Sequence, residues 1–153
     1  MRRTHWLVLA AGLALLLGAC GDETAGRGRS NSTAQPAVGG AEAAIDVSLT
    51  EFEVGLSWDT GAAGTVTFTV RNDGLIPHDF HVIQTVQAAA SLPVDESTRT
   101  VDLSSLDVRA STDELDPGQS TELEVQLPAD SYVLICNVPM HRDNGMFVAF
   151  TVR

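Results

Sequence analysis

Residues 116–146 read DPGQSTELEVQLPADSYVLICNVPMHRDNGM, two strand patterns followed by a loop that holds metal-binding side chains. In the first strand pattern the apolar residues alternate with polar ones, at Leu123, Val125 and Leu127. The second pattern is an apolar run that ends at Cys136, and His141 and Met146 follow it at equal spacing. Because a period of two is the pattern of a strand, the stretch predicts strands that lead into a candidate metal-binding loop.

Earlier in the chain, the same alternation recurs back to residue 43. It occurs at Ile45, Val47 and Leu49, at Phe52, Val54 and Leu56, and at Val66, Phe68 and Val70. The step from Leu49 to Phe52 is out of phase by one residue, which predicts a β-bulge. No amphipathic helix of ordinary length is present, although residues 86–97 have room for a helical turn or two, and the order within residues 87–112 stays open. Short strands between turn signals over about 110 residues predict an all-β fold, an antiparallel Greek-key sandwich or barrel.

The N-terminus, MRRTHWLVLAAGLALLLGACGDE, has the layout of a secretory signal. Arg2 and Arg3 precede an apolar run that is shorter than the roughly 20 residues of a membrane-spanning helix. Because residues 17–20, Leu-Gly-Ala-Cys, resemble a bacterial lipobox, we expect a signal peptide at residues 1–19 and a lipid on Cys20. Ordinary secretion with a free Cys20 is the alternative, and the two arginines leave a twin-arginine signal open.

Residues 21–42, GDETAGRGRSNSTAQPAVGGAE, are rich in small and polar residues, a composition that cannot bury a core. Together with Cys20 they predict a flexible tether at residues 20–42, with a reach of about 25 Å. Residues 43–153 are long enough for one domain with a core of its own. A lipid on Cys20 would anchor this domain to the cell membrane, on the periplasmic side or at the cell surface.

The composition is strongly acidic. Nine basic residues, all arginine, stand against 20 acidic ones, a net charge of −11, and loss of residues 1–19 would make it −13. This charge argues against nucleic acid as a partner, since phosphates bind to basic surfaces. It predicts attraction to a partner with a basic face, weakened by salt, and simple solubility is the alternative interpretation.

Cys136 is central to the candidate site. If Cys20 carries lipid, Cys136 has no disulfide partner in the chain, and a free thiol outside the cytoplasm is open to oxidation unless a metal occupies it. Thiolate, imidazole and thioether ligands together suit copper, and two histidines, a cysteine and a weak axial methionine form a blue-copper site. The second histidine is therefore sought among the others, and His78, after a turn and at the start of a strand, is the candidate. His81 has the opposite strand parity and is expected to be an exposed strand histidine on the other side of the sheet.

Two motifs resemble the cupredoxins, the family of type 1 blue copper proteins. Residues 132–136, Tyr-Val-Leu-Ile-Cys, match the cysteine-bearing strand of the family, and the loop after it is matched at Pro139, His141, Gly145 and Met146. The family pattern around the first histidine is matched at Asn72, Gly74, Pro77 and His78. The spacing after the cysteine is most similar to the longer-loop members, the auracyanin and sulfocyanin types, rather than to plastocyanin.

The resemblance implies one copper per chain, with the metal ligands His78, Cys136, His141 and Met146. It also implies that His141 lies nearest the surface and passes electrons, while Met146 tunes the reduction potential. Met140 departs from the glycine usual before the histidine, so a positive φ at this position would strain its backbone. We also expect Met140 to belong to an apolar collar around His141.

A second departure from the family is Asp79, where many members have asparagine. In the family this residue ties the strand of the first histidine to the loop after the cysteine. We therefore expect Asp79 and Asn137 to be linked beside the metal ligands and to support their geometry.

These features predict an extracytoplasmic one-electron carrier and not an enzyme. Copper oxidases and nitrite reductases need further histidines for a second copper centre, and the parts of a cysteine hydrolase cannot be assembled from these residues. The expected partners are redox proteins such as a cytochrome or a membrane oxidase, met by a monomer on its tether. The main alternative is a copper-binding lipoprotein that delivers or stores the metal, and a sandwich without copper that serves as a binding module is a further one.

Overall fold

The structure, a computed structural model, describes residues 41–153. Its strands in chain order are β1 (Ala41–Thr50), β2 (Glu53–Leu56), β3 (Thr60–Gly61), β4 (Gly64–Asn72), β5 (His81–Gln84), β6 (Val94–Asp95), β7 (Thr100–Val101), β8 (Asp107–Ser111), β9 (Ser120–Leu127), β10 (Asp130–Ile135) and β11 (Phe147–Val152). Three single turns of 3-10 helix are present at Ala89–Ser91, Leu103–Ser105 and Arg142–Asn144. The expected signal peptide, Cys20 and the tether up to residue 40 lie outside the described residues. Within residues 41–153, no helix has the length and apolar character needed to cross a membrane.

Two sheets face each other across the main core. One has the strand order β2-β1-β4-β9 and the other β3-β11-β10-β5-β8. Most neighbouring strands are antiparallel, while β1 runs parallel to β4 and β3 runs parallel to β11. The alternating apolar residues point inward, and the largest fully buried side chains are Tyr132, Phe68, Phe80 and Phe150. The all-β sandwich predicted from the alternation is confirmed.

The step after Leu49 is a hairpin turn, so the predicted β-bulge is wrong. Strands β1 and β2 pair antiparallel with Thr50 opposite Glu53, which leaves Glu51 and Phe52 as a two-residue turn. Phe52 has a φ of 67°, an uncommon conformation for a bulky side chain. A two-residue turn changes the phase of the alternation just as a bulge does, and the sequence pattern alone cannot separate the two.

A covering segment, residues 85–106, lies over the outer face of the second sheet. A separate cluster of buried side chains joins the sheet to this segment, and it consists of Ile83, Val133 and Ile135 with Ala89, Leu92 and Val101. The segment contains the small hairpin of β6 and β7 and two of the 3-10 turns. Because β10 is therefore buried on both faces, its sequence is a continuous apolar run rather than an alternation.

Three connections meet at one end of the sandwich. They are the β1–β2 turn, the loop after β4 and the loop after β10. Phe52 of the turn contacts His141, with 5.4 Å between ring centroids, and His141 lies 5.0 Å from the His78 ring. The strands thus bring residues from three distant parts of the sequence to one place.

Candidate metal centre

The loop that carries His78 is organised by the buried amide of Asn72. Asn72 Nδ2 donates to the carbonyl oxygens of Ile76 and Leu115 at 2.8 and 2.7 Å, and Oδ1 accepts the N–H of Gly74 at 2.9 Å. The backbone of His78 pairs with Leu115 in a single antiparallel bridge. These bonds close the loop and place the His78 ring in the interior, with no exposed surface.

Gly74 leaves space that two neighbouring side chains occupy. A Cβ at this position would lie 2.7 Å from Glu51 Oε1 and 2.9 Å from His78 Nε2, closer than non-bonded atoms approach. Glu51 Oε1 in turn accepts the N–H groups of Leu75 and Ile76 at 2.5 and 3.2 Å, which joins the β1–β2 turn to this loop. The close approach of these groups requires glycine at position 74.

The loop between β10 and β11 returns on itself through backbone hydrogen bonds. The N–H of Cys136 donates to the Met146 carbonyl, and the N–H of Met146 donates to the His141 carbonyl, both at 3.1 Å. The 3-10 turn at Arg142–Asn144 lies between them and ends at Gly145, where φ is 101°. The closed loop buries the side chains of all three candidate ligands that it carries.

Met140 has a φ of 72°, in the region that favours glycine. For any residue other than glycine, methionine included, this conformation costs about 1–2 kcal/mol. Hydrogen bonds on both sides hold it, since the N–H of Met140 donates to the Arg99 carbonyl at 3.1 Å and its carbonyl accepts from Asn144 Nδ2 at 2.8 Å. The backbone strain expected for methionine at this position is therefore present and is held by neighbouring groups.

Three candidate ligand atoms meet in a small buried space. Cys136 Sγ lies 3.8 Å from His78 Nδ1 and 3.3 Å from His141 Nδ1, and all three ligand atoms lie within 4.8 Å of one another. A trigonal ion with bonds of about 2.0 Å to nitrogen and about 2.3 Å to sulfur, the values for zinc, would separate sulfur from nitrogen by about 3.7 Å. The donor atoms therefore fit a metal ion of this size. Met146, the fourth residue of the predicted set, is fully buried in the main core together with Cys136.

The fold has clear relatives among solved structures, although no protein-family model matches the chain and no curated protein sequence matches it significantly. Dithionite-reduced auracyanin from Roseiflexus castenholzii has a TM-score of 0.56 at 24% identity, over 74% of this chain and 99% of that one. For auracyanin A, a blue copper protein from Chloroflexus aurantiacus, the TM-score is 0.52 at 20% identity, over 74% and 100%. For rusticyanin from Thiobacillus ferrooxidans it is 0.55 at 22% identity, over 73% and 77%.

The chain has the cupredoxin fold. The resemblance that two motifs indicated is confirmed at the level of the fold, and the similarity extends over nearly the whole length of both auracyanins. The candidate ligands lie at the end of the sandwich where the three connections meet.

Burial keeps the candidate ligands neutral in the absence of a cation. Burial, together with the charge of Asp79, raises the pKa of the Cys136 thiol to about 12. Burial also lowers the pKa values of His141 and His78. For His78, repulsion by the charge of His141 lowers the pKa further. Neutral imidazole is the form that binds metals, and a thiol that coordinates a metal is deprotonated, its proton passing to water. The site is thus suited to a cation that replaces the thiol proton.

Asp79 is bonded to the loop after the cysteine. Its Oδ1 accepts the backbone N–H of Asn137 at 2.5 Å, and its Oδ2 lies 3.0 Å from His81 Nε2. Burial by itself raises the pKa of Asp79, but the hydrogen bond and charge of His81, with the N–H of Asn137, outweigh it and hold the pKa below its usual value. The structure therefore places Asp79 and Asn137 in contact beside Cys136.

The position of His81 differs in part from the one expected. Its strand neighbours Phe80 and Val82 belong to the main core, whereas Ile83, with the same parity as His81, belongs to the outer cluster. The side chain of His81 is only 12% exposed, because the imidazole turns toward Asp79. The expectation of an exposed histidine is wrong, since strand parity gives the face of a sheet but not what covers that face.

Exposed apolar side chains occur in all three connections at this end of the sandwich, and one of them contacts His141. The ring of Phe52 meets the imidazole edge-on, and Met140 precedes His141 with about half of its surface exposed. Leu75 and Ile76 are also exposed, in the loop bonded to Glu51. Sequence reasoning did not assign Phe52 to the site, although an aromatic residue at a change of phase in the alternation was a signal that could have indicated it.

Two arginines of the site region were also missed. The guanidinium group of Arg142 donates to the carbonyl oxygens of Ala89, Ala90 and Leu92, at distances between 2.7 and 3.3 Å. Arg99 of the covering segment forms an ion pair with Asp143. Both contacts join the covering segment to the ligand loop, and no local sequence pattern indicates them.

Proposed function

We propose that the protein carries one electron at a time on a single type 1 copper, outside the cytoplasm, and that it is not an enzyme. The observation that carries the proposal is the convergence of Cys136 Sγ with the Nδ1 atoms of His78 and His141, next to the buried Met146. Sulfur ligands with imidazole select copper over the harder metal ions, and this ligand set is that of electron-transfer copper sites.

A copper ion bound here would supply the change between Cu(I) and Cu(II). The residues of the chain would hold the ligand geometry constant and exclude water. His78 is fixed by the loop of Asn72, and Cys136 is fixed by its bond to the Met146 carbonyl. Ligands that do not rearrange keep the cost of adding or removing an electron low. Asp79 and Asn137, through their hydrogen bond beside Cys136, would support this geometry.

Electrons would enter and leave through His141, whose ring contacts Phe52 and which directly follows the exposed Met140. The partners would be redox proteins, such as a cytochrome or a membrane oxidase, with a basic face that complements the net charge of −13 that remains after loss of residues 1–19. Steering of this kind predicts electron transfer that slows as the salt concentration rises, which stopped-flow kinetics would measure. Rates independent of salt would contradict it.

The membrane would be reached through a lipid on Cys20, after removal of residues 1–19, with residues 20–42 as the tether of a monomeric domain. This arrangement is supported by the apolar N-terminal run and the residues before Cys20. Mass spectrometry of the protein from bacterial membranes would test it, by a lipid mass on a chain that begins at Cys20. An unmodified chain cut elsewhere would support ordinary secretion.

Copper delivery or storage is the second candidate function. A protein that hands over copper benefits from accessible ligands, whereas three of the candidate ligands here are fully buried and His141 is 5% exposed. The burial of the ligand set therefore favours a carrier of electrons over a carrier of copper.

The test is the visible absorption spectrum after one equivalent of Cu(II) is added. We expect an intense thiolate-to-copper absorption that disappears on reduction with ascorbate and is absent in Cys136→Ser. A colourless protein, or weak absorption that Cys136→Ser leaves unchanged, would overturn the proposal.

A further inference from the structure

His81 and Asp79 form a mostly buried pair beside the candidate metal centre. Their side chains are 12% and 15% exposed, and His81 Nε2 lies 3.0 Å from Asp79 Oδ2. The other ring nitrogen of His81, Nδ1, is buried and has no hydrogen-bond partner within residues 41–153. A histidine that merely filled the strand would leave this polar atom unpaired for no gain, whereas an apolar residue would avoid the cost.

We propose that His81 is a positioning residue for the metal centre, which holds the Asp79 carboxylate in the orientation that accepts the N–H of Asn137. The two carboxylate oxygens have separate partners, because Oδ1 accepts from Asn137 at 2.5 Å while Oδ2 faces His81. One contact alone would leave the carboxylate free to rotate about its bond to Cβ. Contacts at both oxygens fix the rotation, so the bond to Asn137 depends on His81.

Asn137 passes this constraint to both sides of the ligand loop. Its side-chain Oδ1 accepts the N–H of Val101 at 2.7 Å, and its Nδ2 donates to the Val101 carbonyl at 3.2 Å. The residue directly after Cys136 is thus held by Asp79 through its backbone and by β7 through its side chain. The N–H of residue 137 belongs to the peptide unit that follows Cys136, so holding it restricts the backbone of Cys136 and the direction of its side chain. The pair of His81 and Asp79 therefore acts on the metal through Cys136. This last consequence rests on the proposed copper function, while the hydrogen bond to Asn137 does not.

The experiment compares three variants of the full chain in mild detergent. His81→Leu removes the polar contact to Asp79, and His81→Gln restores it, since the glutamine Nε2 reaches the place of the imidazole Nε2. Gln84→Leu is the matched control, because Gln84 Nε2 donates to Asp130 Oδ2 at 2.6 Å at the far end of β5, away from the ligand loop.

The first readout is hydrogen exchange of the backbone N–H of Asn137 in the copper-free protein, measured by NMR. We expect exchange about tenfold faster in His81→Leu, which corresponds to the loss of roughly one hydrogen bond, and near the wild-type rate in His81→Gln and Gln84→Leu. A wild-type rate in His81→Leu would overturn the proposal. An equal acceleration in Gln84→Leu would also overturn it, because the effect would then be general loosening of β5.

The second readout is the copper-loaded protein. We expect a shift of the thiolate-to-copper absorption and of the reduction potential in His81→Leu, which His81→Gln reverses and Gln84→Leu does not produce. Wild-type spectra and potential in His81→Leu would overturn the action on Cys136. If the wild-type chain itself gives no coloured complex, the proposed copper function fails, while the exchange of the Asn137 amide still decides the positioning role. Should His81→Leu not fold, His81→Asn carries the same test, since its shorter amide does not reach Asp79.

Discussion

The two loops that carry the candidate ligands are held in different ways. The loop at residues 72–78 is closed mainly by one buried side chain of its own, Asn72. It also contains Gly74, where neighbouring groups occupy the space that a side chain would need. The loop at residues 136–146 contains a strained residue, Met140, and is held by groups from the covering segment, among them Arg99. The first loop is thus organised around a side chain of its own, which also bonds Leu115, whereas the second depends on groups of the covering segment.

This difference in how the two loops are held determines which substitutions alter the shape of each loop. A loop organised by its own side chain loses its shape mainly when that side chain is changed. A loop held by distant groups has the shape that those groups impose, so its geometry can be adjusted by changes far from the ligands. Four substitutions would break or sharpen this comparison.

The largest effect is expected in the loop at residues 72–78. Asn72→Ala removes three hydrogen bonds and leaves the Ile76 carbonyl and the Gly74 N–H without these partners, so we expect a loss of about 3 kcal/mol in the free energy of unfolding. Urea unfolding of the copper-free protein measures it. The control is Asn144→Ala, which removes one exposed bond to the Met140 carbonyl and should cost less than about 1 kcal/mol. Equal losses would contradict the local character of the first loop.

The next effect is expected where the covering segment meets the second loop. Arg142→Ala removes the bonds to the Ala89, Ala90 and Leu92 carbonyls, and we expect a loss of about 2 kcal/mol, since hydrogen bonds from a charged group are among the stronger ones. Faster proteolysis within residues 85–106 should accompany it. Arg142→Lys should recover only part of the loss, because an ammonium group lacks the planar fork. Full stability in Arg142→Ala would show that the covering segment holds without this contact.

A pH-dependent effect is expected where Asp79 joins the two loops. The pKa of Asp79 is lower in the folded protein than its usual value, so its carboxylate contributes stability that is present above about pH 4 and is lost as the pH falls below it. Asp79→Asn has no carboxylate to protonate. We therefore expect wild-type stability to fall more steeply than that of Asp79→Asn between pH 4 and pH 2, measured by thermal unfolding of the copper-free protein. Parallel curves would show that Asp79 is not stabilised as an anion.

The smallest effect, and one of opposite sign, is expected at Met140. Met140→Gly relieves the strain at a φ of 72°, and we expect a gain of up to about 1 kcal/mol after the larger entropy of glycine in the unfolded chain is counted. Gly145→Ala in the same loop, where φ is 101°, should lose about 1 kcal/mol for the same physical reason. A loss of stability in Met140→Gly would mean that contacts of the methionine side chain outweigh the strain.

Sequence reasoning predicted most of the sandwich because its signal is local. Alternating residues such as Val66, Phe68 and Val70 are buried in β4 as the period of two requires. The failures occur where two structures share one pattern, as in the turn at Glu51 and Phe52, or where burial comes from another segment, as at His81. The covering segment gave no clear pattern because its short strands and turns bury single apolar residues on an outer sheet face.

The sequence by itself determined the alternation of the strands, the order and spacing of His78, Cys136, His141 and Met146, and the excess of acidic charge. These are properties of neighbouring residues and of composition, so they can be read along the chain. Only the tertiary structure decided that Phe52 meets His141, that Arg142 binds the covering segment, and that His81 pairs with Asp79. Contacts between distant residues depend on how the sheets and loops pack, because such residues meet only when the chain between them is folded.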